Sequence, residues 1–176
     1  MVKQKTVASV HERVSGLEKW LEGVYAKTPV LPVGVRNWIS NNLYWLAAIS
    51  GILGLWGAYS LWQVARWGDN WAQYSNDAAT YYGVSPVGTA FSPLIWAIVV
   101  VVAIQAVIAL MAVGPLKAHR KAGWNLLFYS ALLSVGTALL YLIMDGYGIS
   151  STISSLVGCA VGLYFLFQIR SHFVKA

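Results

Sequence analysis

Few side chains in this sequence are of the types that carry chemistry. The three histidines, His11, His119 and His172, all fall outside the long apolar runs, so they do not offer the facing ligands that a haem inside a helical bundle requires. Cys159 is the only cysteine and lies within an apolar run, which excludes an intrachain disulfide or a C-x-x-C redox pair. We interpret Cys159 as a small packing residue.

Three aspartates, Asp69, Asp77 and Asp145, are the remaining candidates for a reactive cluster. Carboxylate oxygens are hard ligands that suit divalent cations, and an outer-face lipid or sugar enzyme using these acids is the weakest alternative. The sequence contains no H-E-x-x-H, G-x-S-x-G or phosphate-binding glycine motif. We therefore expect a protein that is not an enzyme and that has no cofactor and no resident metal.

The composition indicates an integral membrane protein. Of the 176 residues 58% are hydrophobic and only 10% are charged, whereas soluble domains are about one quarter charged. Residues 94–113 carry no charge, and as a helix they span roughly 30 Å, the thickness of a bilayer core. We predict an all-α fold, a polytopic bundle in which residues 41–176 form four transmembrane helices. The predicted spans are residues 43–64, 94–113, 124–144 and 152–169.

The distribution of basic residues predicts the topology. Lysine and arginine number six before the first span, one in the first loop, three in the second, none in the third and two in the tail. The positive-inside rule then places both termini in the cytoplasm, with the protein in the cell membrane. Because the basic residues flank spans and form no stripe, we expect lipid contact and no nucleic-acid partner.

Residues 1–40 are predicted to be a cytoplasmic amphipathic helix and a linker. Apolar residues between positions 7 and 24 recur every three or four residues, which places them on one helix face. Prolines 29 and 32 end the helix. The helix has three possible roles: it lies on the membrane surface, it forms a short coiled-coil seam with a partner, or it packs on the protein's own loops.

Small residues recur at helical spacing in several spans and predict faces for close helix packing. In lipid such residues let helix backbones approach one another. We therefore expect contacts with other membrane helices, in the same chain, in further copies or in a partner protein. The predicted packing residues are Gly51, Gly54, Ala58, Ser130, Ser134, Ser154, Gly158 and Gly162.

The polar residue inside the second span is Gln105. A buried amide in lipid usually forms an interhelical hydrogen bond, and the alternative is a polar path for a solute. Gly114 and Pro115 are predicted to end this span. The basic turn that follows is predicted to contact lipid headgroups through Lys117, Arg120 and Lys121.

The first loop is predicted to contain an interfacial helix over residues 66–82, ended by Gly83. Its aromatic residues repeat every three or four positions and suit the headgroup layer. A platform for a sugar, lipid or peptide is the alternative. The interfacial aromatic residues are Trp67, Trp71, Tyr74 and Tyr81.

Two stretches of the sequence resemble a known group of proteins. They are residues 32–53 (PVGVRNWISNNLYWLAAISGIL) and residues 114–134 (GPLKAHRKAGWNLLFYSALLS). They resemble small four-helix integral membrane proteins of bacterial candidate-phylum lineages, which have a proline before the first span and a basic turn leading into a Gly-Trp pair. Here that pair is Gly123 and Trp124. The resemblance implies four spans and a bacterial source, and it supplies no functional residues.

Together these features predict a non-enzymatic accessory, scaffold or assembly subunit that packs against other membrane helices. The alternative is a small channel or transporter formed by oligomers, with Gln105 and hydroxyl side chains along its path.

Overall fold

The computed structural model describes residues 15–85, 93–143 and 149–174. Within these residues the chain forms six helices and no strand. The helix at residues 15–25 is α1. The others are α2 (Val33–Tyr81), α3 (Pro93–Lys117), α4 (Lys121–Ile143), α5 (Ile149–Gln168) and α6 (Ser171–Val174). The predicted all-α fold class is confirmed.

Three of the described helices, α2, α3 and α4, are long and apolar enough to cross a membrane. The apolar part of α5, Ile153–Gln168, is shorter than the roughly 20 residues of a usual span. The structure therefore supports the predicted membrane class with three candidate spans, and the fourth span stays a prediction.

α2 is one continuous helix of 49 residues. This corrects the prediction of a first span at residues 43–64 followed by a separate interfacial helix at residues 66–82. At 1.5 Å per residue α2 is about 73 Å long, more than twice the roughly 30 Å of a bilayer core. No proline interrupts the sequence between residues 33 and 81, so nothing forces a break. The helix ends just before Gly83, which adopts a left-handed φ of +68°.

α3 extends to Lys117, beyond its predicted end at residues 114–115. Pro115 lies inside the last turn, where it removes only one backbone hydrogen bond from the helix. The reversal comes at His119, which has a φ of +49°, while the N–H of Arg120 donates to the carbonyl of Pro115 at 2.9 Å. This pattern is a Schellman motif, which closes the helix by satisfying its last carbonyls.

The four long helices pack as consecutive antiparallel neighbours. At one end of the bundle the indole Nε1 of Trp96 in α3 donates to Asp69 Oδ2 in α2 at 3.2 Å. At the other end the indole Nε1 of Trp124 in α4 donates to the carbonyl of Leu166 in α5 at 2.8 Å. Beyond Asp69, α2 continues for another 12 residues, past the level at which α3 begins.

We call the end that contains Trp124 the basic end. Seven of the eight lysines and arginines that the structure describes lie there, namely Lys19, Lys27, Arg36, Lys117, Arg120, Lys121 and Arg170. The eighth, Arg66, lies toward the opposite end together with Asp69 and Asp77.

The best-buried part of the core also lies at the basic end. Trp124 is fully buried and stacks on Phe128 with ring centroids 5.3 Å apart. Gly123 precedes it at a close approach to α3, since a Cβ there would lie 2.7 Å from the backbone nitrogen of Leu116. The Gly123–Trp124 pair therefore brings the start of α4 against the end of α3.

α1 packs against the C-terminal half of α5. The guanidinium group of Arg170 bonds Glu18 at 2.7 Å and Glu22 at 2.5 Å. One turn away the Tyr25 ring stacks on Phe167, with centroids 5.4 Å apart. Of the three roles considered for the N-terminal helix, this contact agrees with packing on the protein's own chain, although the surface it meets is a helix and not a loop.

The linker after α1 is also bonded to α5. The hydroxyl of Tyr164 donates to the carbonyl of Pro29 at 2.7 Å, and the backbone N–H of Leu31 donates to Gln168 Oε1 at 3.3 Å. The Tyr25 hydroxyl donates to the carbonyl of Ala160 at 3.0 Å. Burial raises the pKa of Tyr25 above its ordinary value.

Candidate functional site

An open groove lies between α2 and α5, with α4 as its floor and a volume of about 560 Å³. Its lining is apolar or small, and none of the lining side chains carries a charge. The lining residues are Ile39, Leu43, Leu46, Ala47 and Ser50 of α2, Ala109 of α3, Leu127, Ser130, Ala131 and Ser134 of α4, Ser155, Gly158, Cys159, Gly162, Phe165 and Leu166 of α5, and Ile169 just after it. We call it the α2–α5 groove.

Two of the predicted packing glycines, Gly158 and Gly162, lie on the α5 wall of this groove. A Cβ built on either glycine meets no heavy atom within 4 Å. These glycines thus form an uncovered strip of backbone within the described residues. Such a strip offers another helix a close backbone approach.

Two glycines of α2, Gly51 and Gly54, are used inside the chain. A Cβ on Gly51 would lie 2.6 Å from the side chain of Leu110, and a Cβ on Gly54 would lie 2.9 Å from the Cβ of Ala106. Ala58 is buried on the same helix. The two small-residue faces therefore differ. The face of α2 packs against α3, whereas the face of α5 has no described neighbour at Gly158 and Gly162.

The predicted packing serines have separate placements. Ser130 and Ser134 line the groove, and the hydroxyl of Ser134 donates to the carbonyl of Ser130 at 3.1 Å. This bond within α4 satisfies the hydroxyl and leaves mainly van der Waals surface facing the groove. Ser154 is exposed on α5 and is not among the lining residues.

Gln105 lies between α3 and α4. Its Nε2 donates to Thr137 Oγ1 at 3.5 Å, and the Thr137 hydroxyl donates in turn to the carbonyl of Leu133 at 2.9 Å. Thr137 is one of two buried polar side chains described. The amide is thus engaged between two helices and does not line the α2–α5 groove.

The predicted interfacial aromatic residues lie along the second half of α2. Trp67 and Trp71 stack with ring centroids 6.1 Å apart, and Tyr74 and Tyr81 follow them, all of them exposed. Trp67 and Trp71 lie about 5 and 11 Å along the axis past residue 64, the predicted end of the span. Their contact with the headgroup layer stays a prediction, and it does not need a helix that lies flat.

The basic turn presents its charges to solvent. Lys117 ends α3, Lys121 begins α4 and Arg120 lies between them, and all three are exposed. His119 in the same turn stacks on Phe173 of α6, with centroids 5.5 Å apart. This histidine thus has a packing role.

The outer aspartates do not form one site within the described residues. Asp69 and Asp77 lie eight residues apart on α2, which is about 12 Å along its axis. One cation, with ligands at about 2.3–2.6 Å, cannot bind both. Asp145 lies outside the described residues.

A second cavity, of about 440 Å³, was not predicted from the sequence. It lies where α1, the linker, the start of α2 and the end of α5 meet, and Arg36 and Arg170 are among its lining residues. No periodicity singles out either arginine. The sequence signal that could have identified these two arginines is their position, because each lies beside a predicted span on its predicted cytoplasmic side. We call this cavity the arginine pocket.

Comparisons of this chain with protein-family models, with curated proteins and with solved structures find no match.

Proposed function

We propose that this chain is a non-enzymatic, multi-pass membrane protein that acts as an accessory or assembly subunit. It binds an apolar transmembrane helix of another chain in the α2–α5 groove. The observation that carries the proposal is the open strip at Gly158 and Gly162, which no described residue covers within 4 Å of an added Cβ.

The chemistry of the groove supports a helix as its occupant. The lining side chains are uncharged and mostly apolar, so they suit neither an ion nor a polar substrate. Association of helices in lipid depends on van der Waals contact and close approach, and glycines four residues apart offer both. Gln105 favours this assignment over the channel alternative, because its amide bonds Thr137 between α3 and α4.

The proposal includes four spans with both termini in the cytoplasm of a bacterial cell. α5 has 20 residues, which as a helix extend about 30 Å and match a bilayer core. The charge difference between the two ends of the bundle supports the orientation. The basic end carries seven described lysines and arginines, as the positive-inside rule expects of a cytoplasmic side.

The test is native mass spectrometry of the protein extracted from its own membrane into nanodiscs. The double variant Gly158→Leu, Gly162→Leu fills the strip with two bulky side chains. We expect the fraction of protein in its complex to fall by about tenfold, since overpacking costs about 1–3 kcal/mol. Gly136→Leu is the matched control, because Gly136 is also a helical glycine with no atom within 4 Å of an added Cβ and lies outside the groove lining.

A complex that survives in the double variant, or a wild-type protein that is monomeric, would contradict the proposal. A heteromer lost in the double variant but kept in Gly136→Leu would identify the partner. A homo-oligomer with the same pattern would make a second copy the occupant of the groove, and flux measurements in liposomes would then be required.

A further inference from the structure

The two arginines of the arginine pocket differ in their partners. The terminal nitrogens of Arg170 are held by Glu18 and Glu22, and its guanidinium also lies over the Trp124 ring, 5.5 Å from the centroid. Arg36 has no carboxylate within ion-pair distance among the residues that the structure describes. Arg36 is therefore the arginine of the pocket that is available to an anion.

Both guanidinium groups contain an N–H donor without an acceptor. The Nε atoms of Arg36 and Arg170 are buried and form no hydrogen bond in the described part of the chain. A buried donor without a partner is unfavourable, and more so when the group is charged. Because both Nε atoms are buried, a ligand in the pocket would instead meet the terminal nitrogens of Arg36, which no described carboxylate holds.

The electrostatic field around the arginine pocket also favours binding of an anion there. The pocket lies at the basic end, where the described residues include seven basic side chains against Glu18 and Glu22. The pocket adjoins the start of α2, which has no capping side chain and no acidic residue in its first turn. The partial positive charge of this helix terminus thus adds to that of Arg36.

The rest of the lining combines the polar side chains of Glu22, Gln168 and Ser171 with apolar ones. Glu22 is bonded to Arg170, and the apolar side chains indicate that the ligand is amphiphilic. Tyr25, Val30 and Phe167 contribute apolar walls beside the guanidinium groups. Trp38, two residues after Arg36, is exposed, as is usual for an indole at the membrane interface. A phosphate that carries an apolar tail suits both features, whereas free phosphate uses only the arginines.

We propose that the arginine pocket binds the phosphate group of an anionic phospholipid. Arg36 is its donor, because the terminal nitrogens of the guanidinium fork match phosphate oxygens, whereas the terminal nitrogens of Arg170 stay bonded to Glu18 and Glu22. The glycerol and the first acyl carbons lie against Val30 and Phe167. This site is separate from the α2–α5 groove, and it does not depend on the function proposed for that groove.

The test measures lipid retention by native mass spectrometry of the detergent-solubilised full chain. Phosphatidylglycerol and phosphatidylcholine with identical acyl chains are the probes. We expect the wild type to retain phosphatidylglycerol about tenfold more than phosphatidylcholine, and Arg36→Gln to lose that preference. Lys27→Gln is the matched control, since it removes one positive charge at an exposed position of the basic end outside the pocket. It should retain the preference.

Three results would overturn the proposal. They are equal retention of the two lipids by the wild type, an unchanged preference in Arg36→Gln, and displacement of phosphatidylglycerol by millimolar inorganic phosphate, which would make the ligand a soluble anion. Thermal unfolding identifies any variant that does not fold. If Arg36→Gln does not fold, the wild-type preference for phosphatidylglycerol and the effect of Arg36→Lys test the proposal instead. Lysine keeps the positive charge but lacks the guanidinium fork, so Arg36→Lys should reduce the preference.

Discussion

Glycines of this chain that look alike in the sequence have opposite roles in the structure. Gly123 lies against the backbone of Leu116, so that any side chain there collides with main-chain atoms. Gly136 lies thirteen residues later in the same helix and has open space around it. The first glycine is required for α4 to meet α3, whereas the second only costs α4 some helical stability.

Gly123→Ala should lower the free energy of unfolding by about 1–3 kcal/mol, because the backbone nitrogen of Leu116, 2.7 Å from the new Cβ, cannot move without shifting α3. Gly136→Ala should instead raise it by about 0.5–1 kcal/mol. Unfolding of both variants in mixed detergent micelles measures the difference. Equal effects of the two substitutions would contradict the close approach at Gly123.

At the scale of elements, α2 determines how far the molecule reaches beyond the membrane. The aromatic spacing after residue 65 is that of a helix, and the structure has a helix there. Spacing alone does not give the angle between two helical segments. Because α2 is continuous, its C-terminal end extends past the start of α3, and Tyr81 lies about 26 Å along the axis beyond residue 64.

Spin labels on Trp56→Cys and Ala78→Cys, in a Cys159→Ala background, should lie about 33 Å apart by double electron–electron resonance, because 22 helical residues separate them. A helix that turned into the membrane plane at residue 65 would bring the labels to about 24 Å. Leu46→Cys with Tyr59→Cys is the control pair, expected at about 20 Å in either geometry. The shorter distance for the first pair would contradict the continuous helix.

At the scale of the whole molecule, the basic residues and the fully buried side chains are concentrated at the same end, the basic end. The fully buried side chains include Trp124, Leu116 and Phe173, all close to the basic turn between α3 and α4. α1 and its linker bind α5 at this end through Arg170 and Tyr164. The opposite end holds Arg66, Asp69 and Asp77 and the exposed aromatic part of α2.

Cysteine labelling tests the proposed orientation in a Cys159→Ala background, which leaves no other cysteine. Asp77→Cys should react with a membrane-impermeant maleimide on intact cells, whereas Lys27→Cys should react only after permeabilisation, since the proposed orientation places the basic end in the cytoplasm. Both positions are exposed, so accessibility within the protein does not separate them. The reverse pattern would invert the topology.

The sequence by itself determined the all-α class, the membrane character and the approximate positions of the helices. These follow from long uncharged apolar runs, because a chain in lipid must satisfy its backbone within each segment. It also located the glycine cap at Gly83, since a left-handed residue after a helix favours glycine. The protein's four spans, its orientation in the membrane and its function stay predictions.

Only the tertiary structure decided which residues meet. It showed that α2 does not break after residue 64 and that Arg36 and Arg170 line one pocket. It also showed that Gly51 and Gly54 pack against α3 while Gly158 and Gly162 are open. Arg36 and Arg170 lie 134 positions apart in the sequence. Periodicity gives the face of a helix on which a residue lies, but the partner of that face depends on how the helices pack, and no local pattern encodes that arrangement.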